Sequence, residues 1–548
     1  MATLRNLLKP EGIPLGAKVT RNVIYTAARS ILLAPLPFLL IPYFLKKLGS
    51  AGYGTWAVFL AVNGMTSLAD FGLVTSISKH VAQYYALKDL RALGQLISTS
   101  LVLYTGIAFA VAGILWASSR VLISSLFRSS AVPATELMSL WKYLIFLVFA
   151  NILTLLFSSV IIGLQRMDLT TGLNSINLVL SAGLSVEFLH QGMGLRGILY
   201  GYVTAAWGVT ILYACLVRQL LPEVRLKLAS CRWDVAHEIL SFSSKAYVTQ
   251  VAVVIHNQIE KFYLARFVGV VSVGWYDISS DLALKLRGIP GLVLAPIMPA
   301  ASELDARNDH GRMMHLYFRA HKYLALVGIP LIAYTVLISK RLVELWVGPA
   351  LGVIAIPLCV LLITNFVNLT TGPGFLILMG RGRLRPGVYC AVLGVVLNLT
   401  LSYGFIRAYG FQGAVTGTSL SLCVASGFFL FQFQRETRVS FLEVAKLAYA
   451  KPIASALVAV AGVFFYLRVT GSSWFSLFSG AVVFGVAYSL LLLLFRFFDI
   501  VDLAIADSIV RVPYFIRRMI PSAEPSGSSL YNLESSRPAS EDIAAVAK

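Results

Sequence analysis

Apolar runs of about twenty residues recur along the chain, each bounded by short polar or basic stretches. A helix needs about 20 such residues to cross the hydrocarbon of a bilayer. The pattern predicts spanning helices over residues 22–45, 53–77, 96–118, 138–163, 171–190 and 196–217. After a polar loop it predicts six more, over 241–267, 272–299, 318–339, 350–379, 386–406 and 411–433, and then a final pair over 452–469 and 474–496. This is the pattern of an all-α polytopic membrane protein with about 14 transmembrane helices. The expected organisation is a cytoplasmic N-terminus (1–21), a six-helix N-lobe (22–220), a cytoplasmic inter-lobe loop (221–240), a six-helix C-lobe (241–434), a region holding the last helix pair (435–500), and an amphipathic, then disordered cytoplasmic tail (501–548).

Composition agrees: of 548 residues 58% are hydrophobic and only 13% charged, which excludes an ordinary soluble domain. A net charge of +20 raises the question of nucleic acid. The cations are spread through short inter-helix segments, however, which is the positive-inside pattern and no nucleic-acid face. Counted that way, Lys and Arg favour one side by about three to one, placing both termini in the cytoplasm. The basic, polar start (Arg5, Lys9, Lys18) is not followed by a signal-peptide core, so no cleaved leader is expected. The five cysteines, Cys215, Cys231, Cys359, Cys390 and Cys423, form no CxxC and imply neither a disulfide framework nor a zinc site. No cofactor is implied. No long external loop, DxD motif or nucleotide-binding glycine loop offers the machinery of an integral glycosyltransferase, polymerase or ligase.

Three motifs occur twice. Gly49-x4-Gly54 with Trp56 recurs as Gly269-x4-Gly274 with Tyr276, and Asn177-Leu178-x-Leu180-Ser181 recurs as Asn398-Leu399-x-Leu401-Ser402. Gly194-x-x-Gly197-x-x-x-Gly201 recurs as Gly410-x-x-Gly413-x-x-x-Gly417. A near-constant offset across unrelated motifs marks an internal duplication. Duplicated bundles place a substrate site near the midplane between like halves and transport by rocking. The paired glycine motifs are explained by close helix packing without a ligand.

The run Leu45-x-x-Leu48-Gly49-x-x-x-Tyr53-Gly54, then Asp70-Phe71-Gly72-Leu73, resembles the N-terminal signature of polysaccharide and O-antigen flippases, members of the multidrug/oligosaccharidyl-lipid/polysaccharide exporter superfamily. Later residues agree: Gly269-x4-Gly274-x-Tyr276, Leu345-Trp346-x-Gly348, Gly380-Arg381-Gly382, Asn398, and Gly410-x-x-Gly413-Ala414-x-x-Gly417-Thr418. The resemblance covers about residues 22–434 and implies a V-shaped pair of six-helix lobes in the bacterial inner membrane. It implies flipping of undecaprenyl-pyrophosphate-linked sugar units from the cytoplasmic to the periplasmic leaflet. The implied partners are the lipid-linked oligosaccharide, membrane lipids, and the polymerase and glycosyltransferases of the same pathway. The last helix pair departs from twelve-helix members and is similar to the lipid II flippase branch, which keeps a lipid II-type precursor open as cargo. A drug or cation antiporter of the same superfamily would want carboxylates in the first lobe, whereas the first helix offers Arg29 and no acid.

Ionisable groups inside spanning helices cost about 2.5–3.5 kcal/mol each and therefore face a cavity or a partner. Arg29 lies on the first helix; Lys245, Thr249, His256 and Glu260 form one stripe of the seventh; Asp277, Asp281 and Lys285 follow at i+4 steps on the eighth, with Arg287 just off that face. A diphosphate crossing a low-dielectric passage needs compensating cations, so Arg29, Lys245, Lys285 and Arg287 are the candidate substrate contacts. The structural alternatives are an Asp281–Lys285 pair, a helix break before Pro290 at Arg287, and snorkelling of Arg29 or Lys245 to the interface. Glu260, Asp281 and Asp70 are candidates for binding a coupling ion. Against that, Glu260 could pair with Lys261, and Asp70 could pair with Lys79 or cap a neighbouring helix. The polar cluster Thr364, Asn365, Asn368, Thr370 and Thr371, ahead of Gly372-Pro373-Gly374, should break the tenth helix, with Asn365, Asn368 and Pro373 as hinge or cavity lining.

Overall fold

A computed structural model describes Leu33, residues 35–224 and 232–499, and Asp502. The described residues are helical, without strands. The long helices are α1 Pro35–Gly64, α2 Leu73–Ala86, α3 Leu90–Ala117, α4 Ala134–Gly163, α5 Met167–His190, α6 Gly194–Leu220 and α7 Trp233–Phe267. They continue with α8 Val270–Gly291, α9 His310–Val347, α10 Ala355–Leu369, α11 Gly372–Gly380, α12 Arg385–Thr437, α13 Ala450–Thr470 and α14 Trp474–Leu494.

Ten of the described helical segments are long and apolar enough to cross a membrane, or eleven if the bent pair Pro35–Asp70 and Leu73–Ala86 forms one span. Segment length explains the gap between this number and the runs read from the sequence. The 53 residues of α12 would extend about 80 Å as a straight helix, against about 30 Å of hydrocarbon. The helix instead reverses at Gly410 (φ 57°, ψ −128°), where no side chain is easily tolerated. Ser402 and Gly417, about 22 Å apart in a straight helix, touch: a Cβ on Gly417 would sit 2.7 Å from the Ser402 Cα. Helix α1 is likewise two helices merged across Gly49 (φ 70°). Helix α7 is not among the ten, its apolar run being interrupted by Gln250, His256, Asn257, Gln258, Glu260 and Lys261.

The chain packs as two compact units, the described parts of Met1–Asp281 with Val388–Ala425, and of Leu282–Gly387 with Ser426–Lys548. In the first unit Trp56, Phe59, Trp141, Tyr104 and Tyr213 are fully buried. Trp141 and Tyr213 satisfy their polar ends inside the bundle, as hydrocarbon requires. The Trp141 indole N–H donates to the Leu115 carbonyl (2.9 Å), and the Tyr213 hydroxyl to that of Thr170 (3.1 Å). In the second unit α9 carries the final helix pair on its flank through side chains that reach backbone carbonyls of that pair. Arg341 donates to the Leu467 and Gly471 carbonyls (2.8 and 3.3 Å), and Tyr334 to that of Leu477. The His321 Nδ1 meets the Tyr449 hydroxyl at 2.8 Å, within a single turn of π-helix, Ala445–Tyr449.

Candidate functional site

Two polar clusters, one in each compact unit, gather ionisable groups of the apolar segments; the first is buried and the second half-buried.

The first cluster lies in the unit built from Met1–Asp281 and Val388–Ala425. Glu260, on α7, is fully buried. Its Oε1 accepts from the Asn398 amide (2.5 Å) and the Thr418 hydroxyl (2.7 Å), both on α12. With that proton committed, the Thr418 oxygen accepts from the Tyr276 hydroxyl at 2.9 Å. Glu260 Oε2 and Asn398 Oδ1 are buried without a hydrogen-bond partner. Two unmatched acceptors on neighbouring side chains lack a donor, which a proton on the carboxyl or a small cation would supply. The adjacent Lys261 turns elsewhere: its ammonium lies 2.5 Å from Asp277 Oδ1, while Asp277 Oδ2 accepts from the Tyr53 hydroxyl at 3.0 Å. In the same unit, Asp70 Oδ1 accepts from the Tyr104 hydroxyl (2.8 Å) and from the Val74 N–H (3.0 Å), capping the first turn of α2. The 3-10 turn before it, Met65–Asp70, exposes carbonyls that α7 satisfies, Tyr247 donating to Leu68 (2.7 Å) and Gln250 to Ser67 (3.2 Å).

The second cluster lies in the other unit. Arg287, near the end of α8, donates through Nη2 to the Asn368 Oδ1 at 2.8 Å. The Asn368 amide nitrogen donates in turn to Ser426 Oγ at 3.1 Å. Asn368 closes α10, and the break expected from its neighbours is present between Leu369 and Gly372. There the Thr370 and Thr371 hydroxyls back-bond to Val367 and Asn368 (2.7 Å each), Asn365 donates to Leu361 (2.8 Å), and Pro373 opens α11 where its missing N–H costs nothing.

The structure thus brings Arg287 and Asn368 together, as well as Glu260 with Asn398 and Thr418. Arg29 lies outside the described residues; Lys245 sits on α7, but its side chain is not described. Asp281 and Lys285 are on α8, and neither is free. Sequence reading missed Tyr53, Lys261 with Asp277, and the ligands Asn398 and Thr418. A signal existed for the last two, because Asn398 belongs to one repeated motif and Thr418 follows the last glycine of another. Among the described residues no group of three or more His, Cys, Asp or Glu could hold a metal ion.

Comparison with known proteins agrees with this architecture. The model of the family described as "Polysaccharide biosynthesis protein" matches residues 19–304, just over half of the chain. The "Putative O-antigen transporter" of Shigella flexneri is 21% identical, covering 69% of this chain and 88% of its own. The "Probable low-salt glycan biosynthesis flippase" of Haloferax volcanii is also 21% identical, over 74% and 81%. The fold is similar to the lipid II flippase MurJ in an inward closed conformation (TM-score 0.69, 14% identity, 88% of this chain and all of that one). It is also similar to an inward-facing multidrug resistance transporter of the MATE family (TM-score 0.60, 14% identity, 77% and 99%). On this evidence the chain belongs to the polysaccharide biosynthesis protein family, the polysaccharide and O-antigen flippases.

Proposed function

We propose that this protein flips a polyprenyl-pyrophosphate-linked oligosaccharide, the repeat unit of a polysaccharide, across the bacterial inner membrane by alternating access. The geometric observation that carries the reading is the guanidinium of Arg287, held inside an apolar bundle by a neutral amide rather than a carboxylate. Such a cation keeps its charge for an anionic cargo. Arg29, Lys245 and Lys285 are assigned the same role from sequence. Glu260, with Asn398 and Thr418, is assigned to a coupling proton or monovalent cation, because Oε2 and the amide oxygen lack donors; Asp281 and Asp70 stand as further candidates. The two six-helix lobes, the full set of about 14 spans and cytoplasmic termini complete the proposal, with the polymerase and glycosyltransferases of the pathway as partners. The protein makes and breaks no bonds in this scheme.

A reconstituted assay tests it: purified protein in vesicles, with a fluorescent polyprenyl-pyrophosphate-linked disaccharide and a membrane-impermeant quencher. Protein-dependent exchange of the probe between leaflets, lost in Arg29→Ala and Lys245→Ala, supports the assignment. Full exchange with both cations removed overturns it. Lipid II exchanged in preference to the saccharide probe would shift the cargo to the cell-wall precursor.

A further inference from the structure

Arg287 has a hydrogen-bond partner that is neutral and is itself held in place. Asn368 Oδ1 accepts from Arg287 Nη2 at 2.8 Å, and Asn368 Nδ2 donates to Ser426 Oγ at 3.1 Å. Ser426 is fully buried, so the far end of this relay is fixed by packing. Among the described residues no carboxylate faces the guanidinium, in contrast to Lys261 with Asp277, or Arg381 with Asp305 (2.9 Å). Hydrogen-bond polarity fixes the orientation of the amide: the oxygen must face the cation, so the nitrogen faces the serine hydroxyl. The amide stands in the last turn of α10, where the end carbonyls carry a partial negative charge that favours a cation nearby without neutralising it.

We infer that Asn368 is a positioning residue for substrate recognition: it orients Arg287 while leaving the full positive charge of the guanidinium available to a diphosphate. An aspartate at this position would hold Arg287 equally well in space and cancel its charge. The inference rests on the reading of Arg287 as a contact for the anionic head of the cargo. Position 368 then selects for charge: diphosphates over monophosphates over uncharged polyprenols.

The test uses the full-length protein in nanodiscs with three probes, farnesyl diphosphate, farnesyl monophosphate and farnesol, and measures Kd at two salt concentrations. Arg287→Gln, Asn368→Asp, Asn368→Leu, Ser426→Ala and the double variant Arg287→Gln/Asn368→Asp are compared after size-exclusion and melting controls. The expected result is a loss of diphosphate affinity of about tenfold or more in both Arg287→Gln and Asn368→Asp. Asn368→Leu and Ser426→Ala should lose less, because the charge survives while its orientation relaxes. The double variant replaces the cation with an uncompensated carboxylate and should bind the diphosphate more weakly than either single variant, whereas a purely structural role for position 368 predicts no charge-dependent difference. Asn368→Asp should also flatten the salt dependence and the preference for diphosphate over monophosphate, which a purely structural defect would not do. If Arg287→Gln weakens binding and Asn368→Asp does not, the positioning role is overturned while the contact stands. If Arg287→Gln itself changes nothing, the reading of Arg287 fails and the inference falls with it.

Discussion

Gly54 and Gly274, which occupy equivalent positions in the duplicated sequence, lie against one another. A Cβ built on Gly274 would stand 3.1 Å from the Gly54 Cα, and one on Gly54 would overlap the carbonyl of Val270. Helices α1 and α8 therefore cross backbone to backbone, at a point where equivalent residues of the two repeats meet. The paired glycines of another repeated motif each approach a serine of the preceding helix just as closely. A Cβ on Gly201 would meet the backbone of Ser185 at 2.7 Å, and one on Gly417 that of Ser402 at 2.7 Å. Trp56 packs on Tyr202 with ring centroids 4.8 Å apart, while its counterpart Tyr276 bonds Thr418.

Side chains at the crossing should therefore be poorly tolerated. Gly54→Leu and Gly274→Leu are each expected to lower stability by about 1–3 kcal/mol, the usual range for overpacking, and to abolish export. Gly208→Ala on α6, where a Cβ meets open space, should change neither. Melting curves of the purified variants, read beside polymer export in cells, check this.

Equivalent positions should respond equally. Gly201→Val and Gly417→Val force the same pair of backbones apart in the two helical hairpins, so their losses in melting temperature should agree within a few degrees. A large asymmetry would show that the repeats match in sequence but not in packing load.

The pair Lys261–Asp277 is buried, with side chains 11% and 9% exposed. Removing one partner strands a charge, at a cost of about 3–5 kcal/mol, whereas replacing both with apolar groups is close to neutral. Lys261→Met should thus be far less stable than Lys261→Met/Asp277→Leu, as measured by thermal unfolding in detergent.

After α14, Asp499 is packed among Lys322, Arg319 and Asp502; Lys322 reaches it at 2.9 Å and also pairs with Asp502. Burial pushes the Asp499 carboxyl up, but the bond from Lys322, the Asp502 N–H and the charges of Lys322 and Arg319 outweigh it and leave it below the usual carboxylate range. A carboxyl whose folded pKa is depressed contributes stability that is present above its unfolded value, about 3.9, and is lost as pH falls through the folded one. Amide protection at residues 497–499 should therefore hold from pH 5 to pH 8 and be lost progressively as pH falls below about 4. Lys322→Met should weaken it at neutral pH and flatten its pH dependence; protection in the parent protein unchanged between pH 7 and pH 3 would contradict the ion-pair account.

Much of this architecture was legible from apolar run length and repeated glycines, because both report directly on bilayer thickness and on backbone approach. Positive φ at Gly49, Gly269, Gly194 and Gly410 falls on the repeated motifs, where the hydrophobic pattern could only mark a boundary. The break after Asn368 was legible too, since Gly-Pro-Gly after a polar cluster cannot continue a helix. The pairing of buried charges was not. Glu260 could have taken its neighbour Lys261, but the helix turns adjacent residues to different faces. The partners it uses, Asn398 and Thr418, lie more than a hundred residues away and are fixed only by how α12 folds back at Gly410. Asp70 was the converse case, its capping of α2 being local and readable from the turn that follows it.

The central claim is that the cargo is a lipid-linked oligosaccharide moved between leaflets, and the most direct measurement is made in the host. After deletion of the gene, polyprenyl-linked oligosaccharides are identified by mass spectrometry and their leaflet is assigned by accessibility to an impermeant reagent. The account predicts accumulation of one lipid-linked repeat unit on the cytoplasmic face, reversed by the wild-type gene and not by Arg287→Gln. An unchanged lipid-linked pool, accompanied by altered resistance to cationic dyes, would contradict it and point to a drug antiporter.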